Sequence, residues 1–123
     1  MSDRLVNEII KKLRAGSVKN VVYFGTSDNF PDPPYVVVKP ESGVLTNTRS
    51  YRISVHFMQG QLDALEDYAL TEIDNLLLPY IDLENGKRHK LYIGGYTDIT
   101  ADPSDNTYFM ERIYYSPMLG VER

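Results

Sequence analysis

Between Tyr51 and Met58 the chain alternates: Tyr51, Ile53, Val55 and Phe57 are apolar, with Arg52, Ser54, His56 and Met58 between and after them. A period of two puts the two sets on opposite faces of a β-strand, one buried and one more polar. Only Gln59 and Gly60 separate this strand from a different period. Leu62, Leu65, Tyr68, Ala69, Ile73, Leu76 and Leu77 recur at helical spacings until Pro79. They predict a helix over Gln61 to Leu78, about 27 Å long at the helical rise, enough to cross a small sheet completely.

The remaining segments fill in around this pair. Leu5, Val6, Ile9, Ile10 and Leu13 form a one-sided stripe that predicts a helix over Asp3 to Ala15, with Ser2 as its cap and Gly16 as its stop. Val18 to Phe24 reads as a strand, followed by a loop that runs through Phe30-Pro31-Asp32-Pro33-Pro34. Tyr35 to Lys39 reads as a buried strand that ends at Pro40, and Glu41 to Ser50 as a long polar hairpin connection. After the long helix, Tyr80 to Leu83 reads as a short strand before the Asn85-Gly86 turn. Leu91 to Ile99 is a strand interrupted by Gly94-Gly95, a pair that predicts a bulge or a close backbone approach. Thr100 to Asn106 is a turn by composition, Thr107 to Ser116 a closing strand, and Pro117 to Arg123 a loose tail. Strands in hairpin-linked runs, with two helices among them, predict an α+β fold: a mainly antiparallel sheet with both helices packed on one face. The 123 residues provide for a single domain, 1–123, with one core.

Several kinds of chemistry lack their residues. With no cysteine there is no disulfide, thiolate ligand or thiol nucleophile. His56 and His89 are the whole imidazole inventory, and His89 sits within Lys87-Arg88-His89-Lys90, where cations oppose a metal ion. Asp98, Asp102, Asp105 and Asn106 lack the alternating carboxylates and glycine of a calcium loop. Glu66, Asp67, Glu72 and Asp74 read as a charged helical face rather than a catalytic pair. No phosphate-cradling glycine motif and no nucleophile elbow occurs. The expectation is a chain with no catalytic, cofactor or metal residues. The longest apolar run is too short to span a membrane, and the first residues lack the apolar stretch of a signal peptide. A formal charge of −4 argues against a surface built to neutralise phosphates. The basic run at Lys87–Lys90, with Tyr92 and Tyr96 after it, keeps a single-stranded nucleic-acid or peptide binding module open as an alternative.

Aromatic usage points to contact surfaces. There are 10 tyrosines and no tryptophan, and tyrosine combines apolar area with a polar tip, which suits surfaces that a partner covers. Tyr114 and Tyr115 must point to opposite faces of their strand, so one core cannot hide all the late tyrosines. Phe30, apolar within a polar loop, either tucks over the edge of the core or meets another chain.

Taken together, several features resemble the tail terminators of long-tailed bacteriophages of the lambda type. They are the short N-terminal helix, the Phe30-Pro31 turn before the valine-rich strand to Val38, and the alternating strand that runs into the long helix from Tyr51 to Leu78. The late strand, Asp-rich tip and aromatic closing strand from Leu91 to Ser116 complete the likeness. The resemblance implies a structural virion protein without enzyme activity, assembled in the host cytoplasm and placed in the neck at the head-proximal end of the tail. Its partners would be its own copies in a homo-hexameric ring, the tail tube protein on one ring face and the head connector or head completion protein on the other. Genomic DNA would pass through without specific binding, and no membrane would be involved. A related neck component such as a head–tail adaptor fits the same texture. The Phe30 to Pro34 loop, the Glu41 to Ser50 loop and the Ala101 to Asn106 tip project from the sheet, and the candidate inter-subunit or tube contacts are Phe30, Pro31, Pro33, Tyr35, Asn47, Tyr96 and Tyr108. Because a basic wall would hold DNA by counterion release, the candidate lumen residues are the carboxylates Glu66, Asp67, Asp102 and Asp105.

Overall fold

A computed structural model describes residues 4–24, 32–42, 48–83, 86–102 and 107–117. Helix α1 (Arg4–Arg14) buries Leu5, Val6, Ile9, Ile10 and Leu13. Lys11, Lys12 and Arg14 take its last turn, where cations complement the helix dipole. The chain then enters β1 (Val21–Tyr23), shorter than the Val18–Phe24 pattern, although Val18 is still buried. Strand β2 (Tyr35–Ser42) pairs parallel with β1, Val21 opposite Val36. Strand β3 (Thr48–Phe57) pairs antiparallel with β2, Val36 opposite Val55 and Pro40 opposite Tyr51.

Pro40 therefore lies inside a strand that was expected to stop there. The Val36 N–H donates to Asn20 O at 2.8 Å and Val38 O accepts from Phe24 N–H at 3.0 Å, so the even positions of β2 face β1. Pro40 faces the same way, beyond the last β1 residue, and its missing N–H removes no ladder bond. Of the connection expected over Glu41 to Ser50, both ends are paired strand, Glu41 opposite Ser50 and Ser42 opposite Arg49, and 43–47 lie outside the described residues.

A helical run over 59–77 follows β3. It opens with a 3₁₀ turn (Gln59–Gln61), continues as α2 (Leu62–Asp67), passes through one π-helical turn (Tyr68–Glu72) and ends as α3 (Ile73–Leu77). The π turn has a cause in the sequence. Tyr68 and Ile73 are both buried but five residues apart, one more than a helix face allows. An Ile73 N–H to Tyr68 O bond absorbs the additional residue and keeps both on the core side.

Strands β4 (Tyr80–Asp82) and β5 (Arg88–Lys90) form a separate antiparallel hairpin. Gly86, at φ 85°, donates to Leu83 O, and Leu83 N–H donates to Lys87 O. Glycine adopts this positive φ at no steric cost. Strands β6 (Tyr92–Asp102) and β7 (Thr107–Pro117) form the closing hairpin, with β7 beside β3. Thr100 to Asp102, expected in the hairpin tip, stay paired with β7, and the rest of that expected tip, 103–106, lies outside the described residues.

The main sheet has the order β1-β2-β3-β7-β6, parallel only at β1/β2. The fold is α+β, with the helices on one face. That face presents Val36, Val38, Tyr51, Ile53, Val55, Phe57, Met110 and Tyr114, all in one buried cluster with Leu5, Ile9 and Leu13 of α1 and Leu65, Tyr68, Ile73 and Leu77 of the helical run. Ile81 of β4 joins the same cluster, which ties the small hairpin to the core. No helix among the described residues is long and apolar enough to cross a membrane.

Candidate assembly surface

A five-stranded open sheet has two edges, here β1 and β6. Eight large apolar side chains stand exposed among the described residues. Six of them lie on or directly beside those edges: Tyr23 and Phe24 on one, Tyr92, Ile93, Tyr96 and Ile99 on the other. Met58 and Tyr80 are the exceptions. Side chains of this size usually go inside, and their sorting onto opposite edges is the least expected property of the surface.

Strand β6 is built to display them. Its register with β7 slips between Ile93 and Gly95 and again between Thr97 and Thr100. Bulges of this kind bend an edge strand and interrupt the row of backbone groups to which another strand could pair. The Gly94-Gly95 pair lies at the first slip, where the sequence placed a bulge. A Cβ on Gly94 would come within 3.3 Å of the Tyr115 ring and 3.4 Å of Ile113 O, so glycine permits the close approach. Tyr92 stacks on Tyr115 at 5.2 Å between centroids.

Tyr96, 66% exposed, stands over the Arg112 guanidinium at 5.7 Å. Arg112 in turn bridges to Asp74 of α3, and the Tyr114 hydroxyl donates to the same carboxylate. Burial works against the Arg112 charge, but the bonds with Tyr114 and Asp74 outweigh it and hold the guanidinium charged. Burial, then the bond to Asp74, pushes the Tyr114 phenol above its ordinary value. Sequence reasoning treated Asp74 as part of a solvated face and missed this cluster. Its partners lie 38 and 40 residues away, and only the β3/β7 pairing brings them under the helix.

The sheet face away from the helices is polar and aromatic. Tyr35, His56 and Phe109 stack across three strands at 4.7 and 5.6 Å. Beside them Arg52 donates to Glu41 and Glu111, both at 3.0 Å, and Ser54 donates to Glu111 at 3.2 Å. Tyr35 was expected at a contact surface. It is 3% exposed, stacked on His56, so its ring is taken up within the chain.

Charge separates along the strands. Phe57, which leads into the helical run, pairs with Tyr108, and Tyr108 adjoins Thr107, the partner of Asp102 across the hairpin. Helix α2, with its exposed carboxylates Asp63, Glu66 and Asp67, thus starts from the end of the sheet at which β6 ends in Asp102. At the opposite end, Arg88 lies over the Tyr80 ring and Lys90 over the Tyr92 ring, each at 5.0 Å. Arg88 also donates to Asp82 at 2.7 Å, which holds that carboxyl below the ordinary aspartate value.

Of the other expected contacts, Tyr108 is half-buried, its ring 6.2 Å from that of Phe57. Pro33 is half-buried and its carbonyl accepts from the Gln61 side chain at 3.1 Å. Phe30, Pro31, Asn47 and Asp105 lie outside the described residues, and Asp102 ends β6. Ile93 and Ile99 on β6, and Tyr23 and Phe24 at β1, were not singled out from the sequence. Each sits in a strand pattern where alternation alone does not say which strands become edges. Among the described residues no group of three or more His, Asp or Glu side chains gathers in a way that could hold a metal ion.

No family model and no curated protein matches the chain. Solved structures do: 18 chains match, among them one designated only by a sequence identifier. It aligns with a TM-score of 0.62 at 12% identity, covering 93% of this chain and 90% of its own. At that identity the likeness is one of fold.

Proposed function

We propose that this chain is a structural virion protein of a long-tailed bacteriophage, a tail terminator that forms a homo-hexameric ring, caps the tail tube and joins it to the head connector. The observation that carries the reading is the sorting of exposed apolar side chains onto the two opposite edges of one sheet. A chain with two different adhesive edges makes heterologous contacts, and such contacts close into a ring when each step adds a fixed rotation. The sequence resemblance supplies the phage context, and the acidic end supplies a wall that would not hold DNA. Light scattering on the purified chain, alone and with its tube protein, tests the reading. It predicts ring-sized particles or attachment to tubes, and a strict monomer that never joins the tube would refute it.

A second reading, a monomeric module for nucleic acid or a peptide, rests on the cation-bearing β4–β5 hairpin. Arg88 and Lys90 each lie on a tyrosine face there, and Arg88 is bridged to Asp82. That reading predicts a steeply salt-dependent shift of random DNA in gels, which ring assembly does not require.

A further inference from the structure

The two apolar edges differ in shape and in charge. Between α1 and β1 runs a groove of about 490 Å³ lined by Asn7, Ile10, Lys11, Arg14, Val22 and Tyr23. Helix α1 contains four cationic residues and one glutamate, a formal +3. Strand β6 contains two aspartates and no cation, a formal −2. Its exposed side chains Ile93, Tyr96, Asp98 and Ile99 project from a strand that the bulges have bent. The groove lining carries two cations, Lys11 and Arg14, and no carboxylate, the strand carries aspartates and no cation, and the two lie on opposite edges of one sheet.

The geometry points to a head-to-tail contact between copies of this chain, in which Tyr96, Asp98 and Ile99 of one copy enter the α1–β1 groove of the next, with Asp98 against Lys11. This deepens the ring reading and rests on it. The contact is one of side chains rather than an added strand. Arg14 donates to Val21 O at 2.8 Å and so occupies a carbonyl at β1, while the bulges of β6 interrupt strand pairing on the other side. Tyrosine and isoleucine entering a groove supply apolar area, and a carboxylate facing lysine fixes orientation and excludes the reverse pairing of like edges. Lys11 is 64% exposed and bridged at 3.3 Å to Glu8, whose side chain is only 13% exposed, so the lysine is held at the groove by its own helix.

Asp98 and Lys11 are exposed, and thermal melts of each variant by circular dichroism separate loss of assembly from loss of folding. Asp98→Lys and Lys11→Glu are each expected to shift the particle, by light scattering, from ring mass to the 14.1 kDa monomer at a concentration where the unaltered chain assembles. An equimolar mixture of the two variants is expected to recover the ring, because each interface then meets either its original or its charge-exchanged partner. The chain has no cysteine, so Tyr23→Cys with Tyr96→Cys in one chain should give, on mild oxidation, a ladder of covalent multimers. Tyr96→Cys alone should give none. Disulfide dimers from Tyr96→Cys alone would mean that β6 meets β6, which overturns the proposal. Normal assembly of both charge variants with no ladder also overturns it while leaving the ring reading intact. An unaltered chain that stays monomeric alone and with tubes removes both.

Discussion

Tyr68 and Tyr114 are both buried tyrosines of the core, and they differ in where the phenol goes. The Tyr114 hydroxyl reaches Asp74, whereas the Tyr68 hydroxyl has no hydrogen-bond partner among the described residues. An unpartnered buried hydroxyl costs free energy, and one that serves a carboxylate contributes it. Tyr114→Phe should therefore destabilise the fold by about 1.5–3 kcal/mol in urea melts, while Tyr68→Phe should be neutral or stabilising. Both phenols are held above the ordinary tyrosine value of 10.0, by burial first and then by the neighbouring Asp74 or Glu72 carboxylate. A raised pKa in the folded state gives stability that is complete below pH 10 and declines as pH rises through the folded value. Alkaline unfolding should thus begin above about pH 10, and spectrophotometric titration should find these two phenols among the last to ionise. At the other end of the scale, Asp82 should titrate below 3.8 by NMR and return to ordinary behaviour in Arg88→Ala. Core membership of such residues was legible in the periodicity, but their polar partners were not, since these depend on strand order.

The elements were legible where one period persisted. Strand β3 and helix α1 follow their patterns to within a few residues because a single burial demand acts along each. The π turn in the long helix was hidden, although its cause, the five-residue interval from Tyr68 to Ile73, was in plain view. A count of apolar residues at helical spacing passes over one interval that is too long. Pro40 was misread because the rule against proline applies only to N–H groups that face a paired neighbour. Pro40→Ala should change stability by less than about 0.5 kcal/mol. Lys39→Pro, one position away, removes a donor directed at β3 and should cost about 1–3 kcal/mol, as read from chemical denaturation. Edge status was the part of the candidate site that sequence could not provide. Tyr96 was expected at a contact, while Ile93, Ile99, Tyr23 and Phe24 acquire meaning only once β6 and β1 are known to be the outer strands.

For the whole molecule, the proposed ring assigns the two edges and the two ends separate roles. On the proposed ring the candidate lumen wall is the end of the sheet from which α2, with Glu66 and Asp67, starts and at which β6 ends in Asp102, with the cationic hairpin at the far end. Duplex DNA carries about one negative charge per 1.7 Å, so a wall of carboxylates would let it pass without capture. Side chains that face the axis of an assembled ring should then include more Asp and Glu than Lys and Arg. A lumen lined mainly by Lys and Arg would refute that part of the account alone. The central claim is that the chain closes into a ring on the end of a tail tube. Electron cryomicroscopy of tubes assembled with the purified chain tests it most directly. The account predicts a six-fold ring at one end of each tube, with β6 of every copy against α1 and β1 of the next. Tubes with bare ends, and the chain free in solution as a 14.1 kDa monomer, would contradict it.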